Sequence, residues 1–272
     1  MTAIKRVVIV GASGMVGGYA LRYLLENPAV GGVTSIGRRN LGVSHPKLTE
    51  ILHPDFADCS PLADALTGHD AAIYCLGTYT GVVSDAELRA ITVDYTIAFA
   101  RVLRASSPNA TFAFLSGSGA DPTGRSRMPF ARYKGEAENA LSAAGFPRVY
   151  VFRPAYIYPV QPRREPNVSY RLLRAIYPAF RVLFPNQVIR ADDLARTMVD
   201  AAVRGTGEGR TPVLENVGVE NQEEELARAF RNTALSSARR TSPPWNQGGL
   251  DRPLNDTNPD AAPEHHHRPD LV

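Results

Sequence analysis

The chain has 272 residues, of which 44% are hydrophobic and 21% are charged, values typical of one large globular domain or of a domain with appendages. Its formal net charge is +3, and the charges do not gather along one periodic face, which argues against nucleic acid as the main partner. The two cysteines, Cys59 and Cys75, are too few and too far apart for a disulfide framework or a tetrahedral zinc site.

The cysteine content and the N-terminal sequence both favour a reducing compartment. The segment Met-Thr-Ala-Ile-Lys-Arg leads directly into a strand pattern, without the apolar run and cleavage site of a secretory signal. No apolar run approaches the length of a membrane span. We therefore expect a cytoplasmic protein without a transmembrane segment.

Strand-like and helix-like segments alternate as far as residue 152. The predicted strands are short apolar or β-branched runs at 6–10, 33–36, 48–52, 71–76, 111–115 and 148–152. The predicted helices show helical apolar spacing or end at glycine, and cover 14–26, 61–66, 88–102 and 130–144. This alternation with short connections predicts an α/β fold: a doubly wound parallel sheet with helices on both faces.

The composition changes after Pro154. Segments 192–204 and 212–214 predict an amphipathic helix and a short strand, whereas residues 158–169 are rich in proline and arginine and predict a loop. An apolar, arginine-bearing helix is expected at 170–184, as a lid over a substrate pocket or as a helix that docks on a membrane surface.

Few apolar residues remain near the C-terminus. Residues 232–272 are therefore predicted to be disordered, and the histidine run at 265–267 lacks the carboxylates or cysteines of a metal site.

Three glycines stand at the first strand-to-helix junction. Gly11, Gly14 and Gly17, with Ser13 and Met15 between them, give the spacing G-x-x-G-x-x-G. Such glycines permit a tight turn, let the backbone approach a pyrophosphate and let helix and strand pack closely, while the helix N-terminus offers N–H groups to phosphate. Three glycines alone also fit an ordinary turn, but this position after a strand and before a helix favours dinucleotide binding.

The second predicted strand ends in Ile-Gly-Arg-Arg, so Arg38 and Arg39 stand where an NAD site usually places a carboxylate for the ribose hydroxyls. Guanidinium groups suit a 2′-phosphate through charge-assisted hydrogen bonds. Two solvated arginines of a surface loop are the alternative. At this distance after the glycine motif, NADP is the favoured cofactor.

Two further strand ends add weaker indications. Asp55-Phe56 follows the third strand, and the Asp55 carboxylate can accept a hydrogen bond from an adenine amine. Leu76-Gly77 ends the fourth strand, where a small residue lets the backbone pass beneath a cofactor.

These motifs, together with Leu-Ser-Gly-Ser-Gly-Ala-Asp, Lys-Gly-Glu-Ala-Glu and Val-Phe-Arg-Pro in this order, resemble atypical short-chain dehydrogenases, nearest to the Tat-interacting-protein and NmrA-like NAD(P)-binding branch. The resemblance covers residues 4–216. It implies a Rossmann domain at 1–220 that includes a small C-terminal substrate lobe at 155–216. Members of such families include oxidoreductases and proteins that bind NADPH to regulate a partner.

The resemblance also implies a catalytic serine, tyrosine and lysine. Lys134 takes the lysine position, where it can also hold the nicotinamide ribose, and Ser118 best fits the serine position. The tyrosine, four residues before the lysine on the same helix face, is replaced by Phe130, which has no titratable proton. Tyr133, directly before Lys134, lies on a different helix face.

A substitute proton donor could come from Tyr79 or Tyr156, which follow the fourth and sixth strands, although tyrosines there also serve as packing residues. Two hypotheses follow: an NADP-dependent oxidoreductase on a small carbonyl or alcohol, or a redox-silent NADPH-binding regulator of a protein partner. Retention of Ser118 and Lys134 favours the enzyme, and the loss of the tyrosine favours the regulator.

Overall fold

The computed structural model describes residues 4–78, 81–160, 188–205 and 213–215. All of them belong to the first of two units, Met1–Arg228, whereas the second, Ala229–Val272, lies outside the described residues. The predicted helix at 170–184, the tail at 232–272 and the candidate proton donor Tyr79 also lie outside them.

The strands confirm the predicted parallel sheet. In the described residues they are, in chain order, β1 Lys5–Val10, β2 Val30–Gly37, β3 Leu48–Leu52, β4 Ala71–Tyr74, β5 Thr111–Leu115, β6 Arg148–Arg153, β7 Tyr156–Tyr158, β8 Val188–Arg190 and β9 Val213–Glu215. The main sheet has the order β3-β2-β1-β4-β5-β6-β9, and every neighbouring pair is parallel. This is the doubly wound Rossmann order with one more strand beside β6.

The helices of the described residues are α1 Met15–Glu26, α2 Asp85–Arg89, α3 Tyr95–Ser106, α4 Pro129–Ala143 and α5 Ala191–Arg204. A π-helical turn, Ala90–Asp94, joins α2 to α3, so the predicted helix at 88–102 is part of a longer helical stretch with one wider turn.

The predicted helix at 61–66 is wrong. A 3₁₀ turn, Ser60–Leu62, forms there instead and is followed by further turns. So short a segment does not offset the cost of helix nucleation, and Gly68 with a φ of 74° ends it. Its apolar residues, Leu62 and Leu66, are nevertheless buried in the core.

Two apolar layers cover the sheet. Val7 and Ile9 of β1 face a core cluster that includes residues of α1 and α5, whereas Val8 and Val10 face a cluster with residues of α3 and α4. Successive side chains of a strand point to opposite faces, so continuous apolar runs such as 7–10 are what a sheet buried on both sides requires.

Part of the range assigned to a C-terminal lobe belongs to these layers. The strand β9 pairs with β6 in the main sheet, and α5 contributes Leu194, Met198 and Val199 to the same core cluster as α1. The strands β7 and β8 form a separate parallel pair, which the sequence did not predict.

Two neighbouring glycines of α1 give a stability test of this packing. A Cβ on Gly17 would lie 2.2 Å from the Gly11 carbonyl oxygen, whereas a Cβ on the exposed Gly18 would lie 3.4 Å from the Ala12 oxygen, an ordinary contact. We expect Gly17→Ala to lower the free energy of unfolding by about 1–3 kcal/mol through overpacking. Gly18→Ala is expected to raise it by up to about 1 kcal/mol through helix propensity. Urea unfolding measures the free energy of unfolding of both variants. Equal changes in the two variants would contradict the described packing of α1 on β1.

Candidate functional site

The loops that follow β1 and β4 meet where the strand order of the sheet reverses. Gly11 has a φ of 86°, and a Cβ there would lie 2.7 Å from the Cys75 carbonyl carbon and 2.9 Å from the Leu76 nitrogen. An L side chain is therefore excluded by both conformation and space. The reversal point of a doubly wound sheet is where such folds bind ligands, beyond the carboxyl ends of the strands.

The turn between β1 and α1 forms a cradle lined by backbone. Gly14 is the N-cap of α1, provides no side-chain cap, and donates its N–H to the Gly11 oxygen at 2.9 Å. Gly17 packs directly under Gly11, Ser13 is exposed, and Met15 is half-buried. A Cβ on Gly14 would approach the Gly11 oxygen to 3.0 Å and narrow this cradle. The arrangement fits a phosphate group at the start of α1.

Arg38 and Arg39 follow β2 directly and are exposed. Neither guanidinium forms a hydrogen bond or an ion pair with the residues that the structure describes. The adjoining loop is shaped by Glu50, whose carboxylate accepts from the Leu41 N–H at 2.9 Å. Two cationic groups at the end of β2 thus remain available to an anionic ligand.

The two predicted contacts after β3 differ in exposure. Asp55 is exposed, and one of its carboxylate oxygens accepts from the Ala57 N–H at 3.0 Å. The ring of Phe56 is 2% exposed and packs edge-on against His53 and tilted against Tyr95. The Phe56 side chain is therefore a core residue, and only its backbone can face a nucleotide.

At the end of β4, Leu76 is half-buried and Gly77 borders open space. Leu76 packs against the core, and Gly77 is exposed. A Cβ on Gly77 would meet no atom within 4 Å, so nothing in the described protein itself requires a small residue there. The open space beside the Gly77 backbone is where a ligand could lie.

Lys134, on α4, is 6% exposed. Its ammonium donates to the Leu115 carbonyl oxygen at 2.9 Å and lies 4.8 Å from the centroid of the Phe114 ring. Burial lowers the pKa of Lys134 to about 8, although the neighbouring Glu138 and Cys75 act in the opposite direction. Burial raises the pKa of the half-buried Cys75 to about 12, so its thiol is protonated at neutral pH and is a poor nucleophile.

Phe130 lies against the turn that follows β5. Its para carbon is 2.7 Å from the position of a Cβ on Gly117, so the glycine makes room for the ring. The next residue, Ser118, is exposed, and its N–H donates to the Pro154 oxygen at 2.8 Å. Lys134 is held on Leu115, just before this turn. The structure thus brings the predicted serine and lysine positions and Phe130 to the end of one strand.

Tyr133 does not replace the missing phenol. The hydroxyl of Tyr133 donates to Asp85 at 2.7 Å, and this hydrogen bond raises the pKa of Tyr133. Tyr133 therefore links α4 to α2. Tyr156 begins β7 and is half-buried.

Sequence reasoning missed three site residues, Ser116, Glu138 and Arg153. The Glu138 carboxylate is buried, accepts from the Ser116 hydroxyl, and pairs with the Arg153 guanidinium at 2.5 Å. A signal was present: Glu138 follows Lys134 by four residues, which places both on one helix face, and Arg153 ends a strand of the sheet.

The described part of the chain contains neither a metal-binding group of side chains nor a membrane-spanning helix. It holds no group of three or more histidine, cysteine, aspartate or glutamate side chains that could bind a metal ion. None of its helices is both long enough and apolar enough to span a membrane.

The fold and the glycine-lined strand ends define a protein with the Rossmann fold. No family model matches the chain. It is 28% identical over 218 residues to protein HTATIP2 of Rattus norvegicus, a match that covers 79% of this chain and 88% of that protein. It is 31% identical over 157 residues to the mitochondrial protein fmp52 of Emericella nidulans, covering 56% of this chain and 66% of that protein.

Among solved structures, the Bordetella bronchiseptica enzyme WbmH in complex with NAD+ matches with a TM-score of 0.57 and 19% identity, over 76% of this chain and 74% of that chain. This likeness concerns the fold. The sequence matches show that the chain is related to HTATIP2 and to the fmp52 proteins.

Proposed function

We propose that the chain binds NADP(H) across the carboxyl edge of its sheet and is an oxidoreductase acting on a small carbonyl or alcohol. The observation that carries the proposal is the convergence of the Gly11 turn, the Cys75–Leu76 backbone and the Lys134 ammonium at adjoining strand ends. The nicotinamide nucleotide of the WbmH complex supports this class of cofactor.

The residues have distinct proposed roles. Gly11, Gly14 and Gly17 would admit the pyrophosphate to the N-terminus of α1, beside Ser13 and Met15. The exposed Arg38 and Arg39 would bind the 2′-phosphate, Asp55 the adenine amine, and the backbone of Phe56, Leu76 and Gly77 would border the nucleotide.

Lys134 and Ser118 would act at the reactive end. When bound, the nicotinamide supplies or accepts a hydride. Lys134, already held on Leu115, would hydrogen-bond the nicotinamide ribose and place positive charge near a developing alkoxide. Ser118, exposed at the turn beside Phe130, would bind the substrate oxygen. Because Phe130 cannot donate a proton, slow turnover is expected unless Tyr79 or Tyr156 supplies one.

The proposed compartment is the cytoplasm. The fmp52 relatives are mitochondrial by name, so fractionation of cells expressing the full chain decides between the two compartments.

The first functional test concerns the choice of cofactor. Arg38→Ala should weaken NADPH binding by about 1–3 kcal/mol, the contribution of a hydrogen bond to a charged group, and should leave NADH binding nearly unchanged. Calorimetric titration measures both affinities. Arg101→Ala removes the same charge from an exposed position on α3 and serves as the matched control. Equal losses of NADPH and NADH affinity would show that Arg38 does not bind the 2′-phosphate.

The second functional test restores the missing phenol. In Phe130→Tyr the hydroxyl would be attached to the carbon that faces Gly117, at the Ser116–Ser118 turn and one helical turn before Lys134. NADPH-dependent reduction of a carbonyl panel should then increase by roughly 10²–10⁴-fold, the usual contribution of a positioned general acid.

Two comparison variants make this result specific. Tyr79→Phe and Tyr156→Phe should remove any activity of the wild type that depends on a substitute phenol. The proposed site would be contradicted by a wild type that already reduces the carbonyl panel rapidly and whose rate does not change on substitution of Phe130, Tyr79 or Tyr156. A Phe130→Tyr variant that binds NADPH and stays inert would favour the redox-silent regulator instead.

A further inference from the structure

The helix α4 presents a stripe of three side chains to the end of β5. Phe130, Lys134 and Glu138 are spaced by four residues and therefore share one helix face. They contact consecutive residues of the partner segment: Phe130 lies against Gly117, Lys134 donates to the Leu115 oxygen, and Glu138 accepts from the Ser116 hydroxyl. Three consecutive residues at the end of β5, Leu115 to Gly117, thus contact one face of one helix.

Glu138 connects this stripe to the end of β6. Its carboxylate, 4% exposed, accepts from the Arg153 Nε at 3.0 Å and pairs with Nη2 at 2.5 Å, in a bidentate arrangement at the end of β6. One carboxylate therefore connects α4, the end of β5 and the end of β6.

Stability alone does not account for such a pair. Removing two charges from water costs several kcal/mol per ion, and well-packed apolar residues of similar volume often serve a core equally well. The charged pair adds directional hydrogen bonds. Together with the bond from Ser116, they fix the Glu138 carboxylate relative to the ends of β5 and β6.

We propose that Glu138 is a positioning residue: it holds the Ser116–Ser118 turn for substrate through Ser116 and Arg153, and, one helical turn from Lys134 on the same buried face of α4, it stabilises the ammonium form of that lysine. Its part in the reaction rests on the proposed function, whereas its effect on Lys134 does not. The groups that face Lys134 are Glu138 on its own helix, Cys75 from the loop after β4, and the Phe114 ring and Leu115 oxygen of β5. Those that face Glu138 are Arg153 and Ser116.

The chain is well suited to a direct test, since it contains only three lysines, Lys5, Lys47 and Lys134. Carbon-13 labelling of the lysine ε position gives three signals, and Lys134→Arg assigns the one of interest. In the wild type the pKa of Lys134 should be about 8. In Glu138→Gln it should be lower, because the carboxylate that favours the ammonium form is gone while the burial remains.

The matched control is Glu136→Gln, the same substitution two residues earlier on α4. Glu136 is exposed and forms an ion pair with Arg89 at 2.6 Å, so its loss should leave the Lys134 titration unchanged. If Glu138→Gln does not fold, Glu138→Asp is the alternative variant, because it keeps the charge on a shorter side chain that no longer reaches Ser116 and Arg153. The pKa of Lys134 should then fall by less than in Glu138→Gln. A folded Glu138 variant in which Lys134 titrates as in the wild type would overturn the inference.

NADPH titration separates this inference from the proposed function. A less fully charged Lys134 beside a loosened Ser116–Ser118 turn should weaken NADPH binding by about tenfold, the loss of one good hydrogen bond, in Glu138→Gln and not in Glu136→Gln. If the wild type does not bind NADPH, the proposed function fails and the lysine titration still decides the role of Glu138. If NADPH binds equally to the wild type and to Glu138→Gln, the positioning role is wrong.

Discussion

The site depends on one close approach between backbone segments. The turn after β1 lies against the loop after β4 so tightly that a Cβ on Gly11 would overlap Cys75, and α1 packs on the same turn through Gly17. With no side chain in the way, the N-terminus of α1 lies directly beyond the sheet edge, where its N–H groups can reach an anion. The position of every other candidate group is set relative to this contact, because β2, β5 and β6 are hydrogen-bonded to the same sheet.

A second constraint operates on the other side of the reversal point. Lys134 and Glu138 bring two charges into the interior, a costly arrangement unless each finds partners. The Leu115 carbonyl, Ser116 and Arg153 provide them. The proposed nucleotide side is thus lined by glycine backbone, whereas the proposed reactive side is lined by buried charged side chains. This division fits the proposal of a cofactor cradle and a lysine at a site where Phe130 takes the place of a proton donor.

The sequence predicted the sheet because buried parallel strands leave continuous apolar runs, as in residues 7–10 and 111–115. It also indicated Gly11 and Arg38 through spacing alone. Tertiary packing decides the rest: the ring of Phe56 is buried in the core, which leaves only its backbone for the proposed nucleotide contact, and the predicted helix at 61–66 is a 3₁₀ turn. The spacing of Lys134 and Glu138 placed both on one helix face, but the cluster with Ser116 and Arg153 was not predicted, because its members come from three separate segments that only the fold brings together.

The most direct measurement is a calorimetric titration of the wild-type chain with NADPH and with NADH under identical salt conditions. The available guanidinium groups of Arg38 and Arg39 at the end of β2 predict binding of both nucleotides with a clear preference for NADPH. Identification of the nucleotide that co-purifies with the chain, by mass spectrometry, should agree. Absence of binding by either nucleotide, or a preference for NADH, would contradict the central claim that this sheet edge is an NADP(H) site.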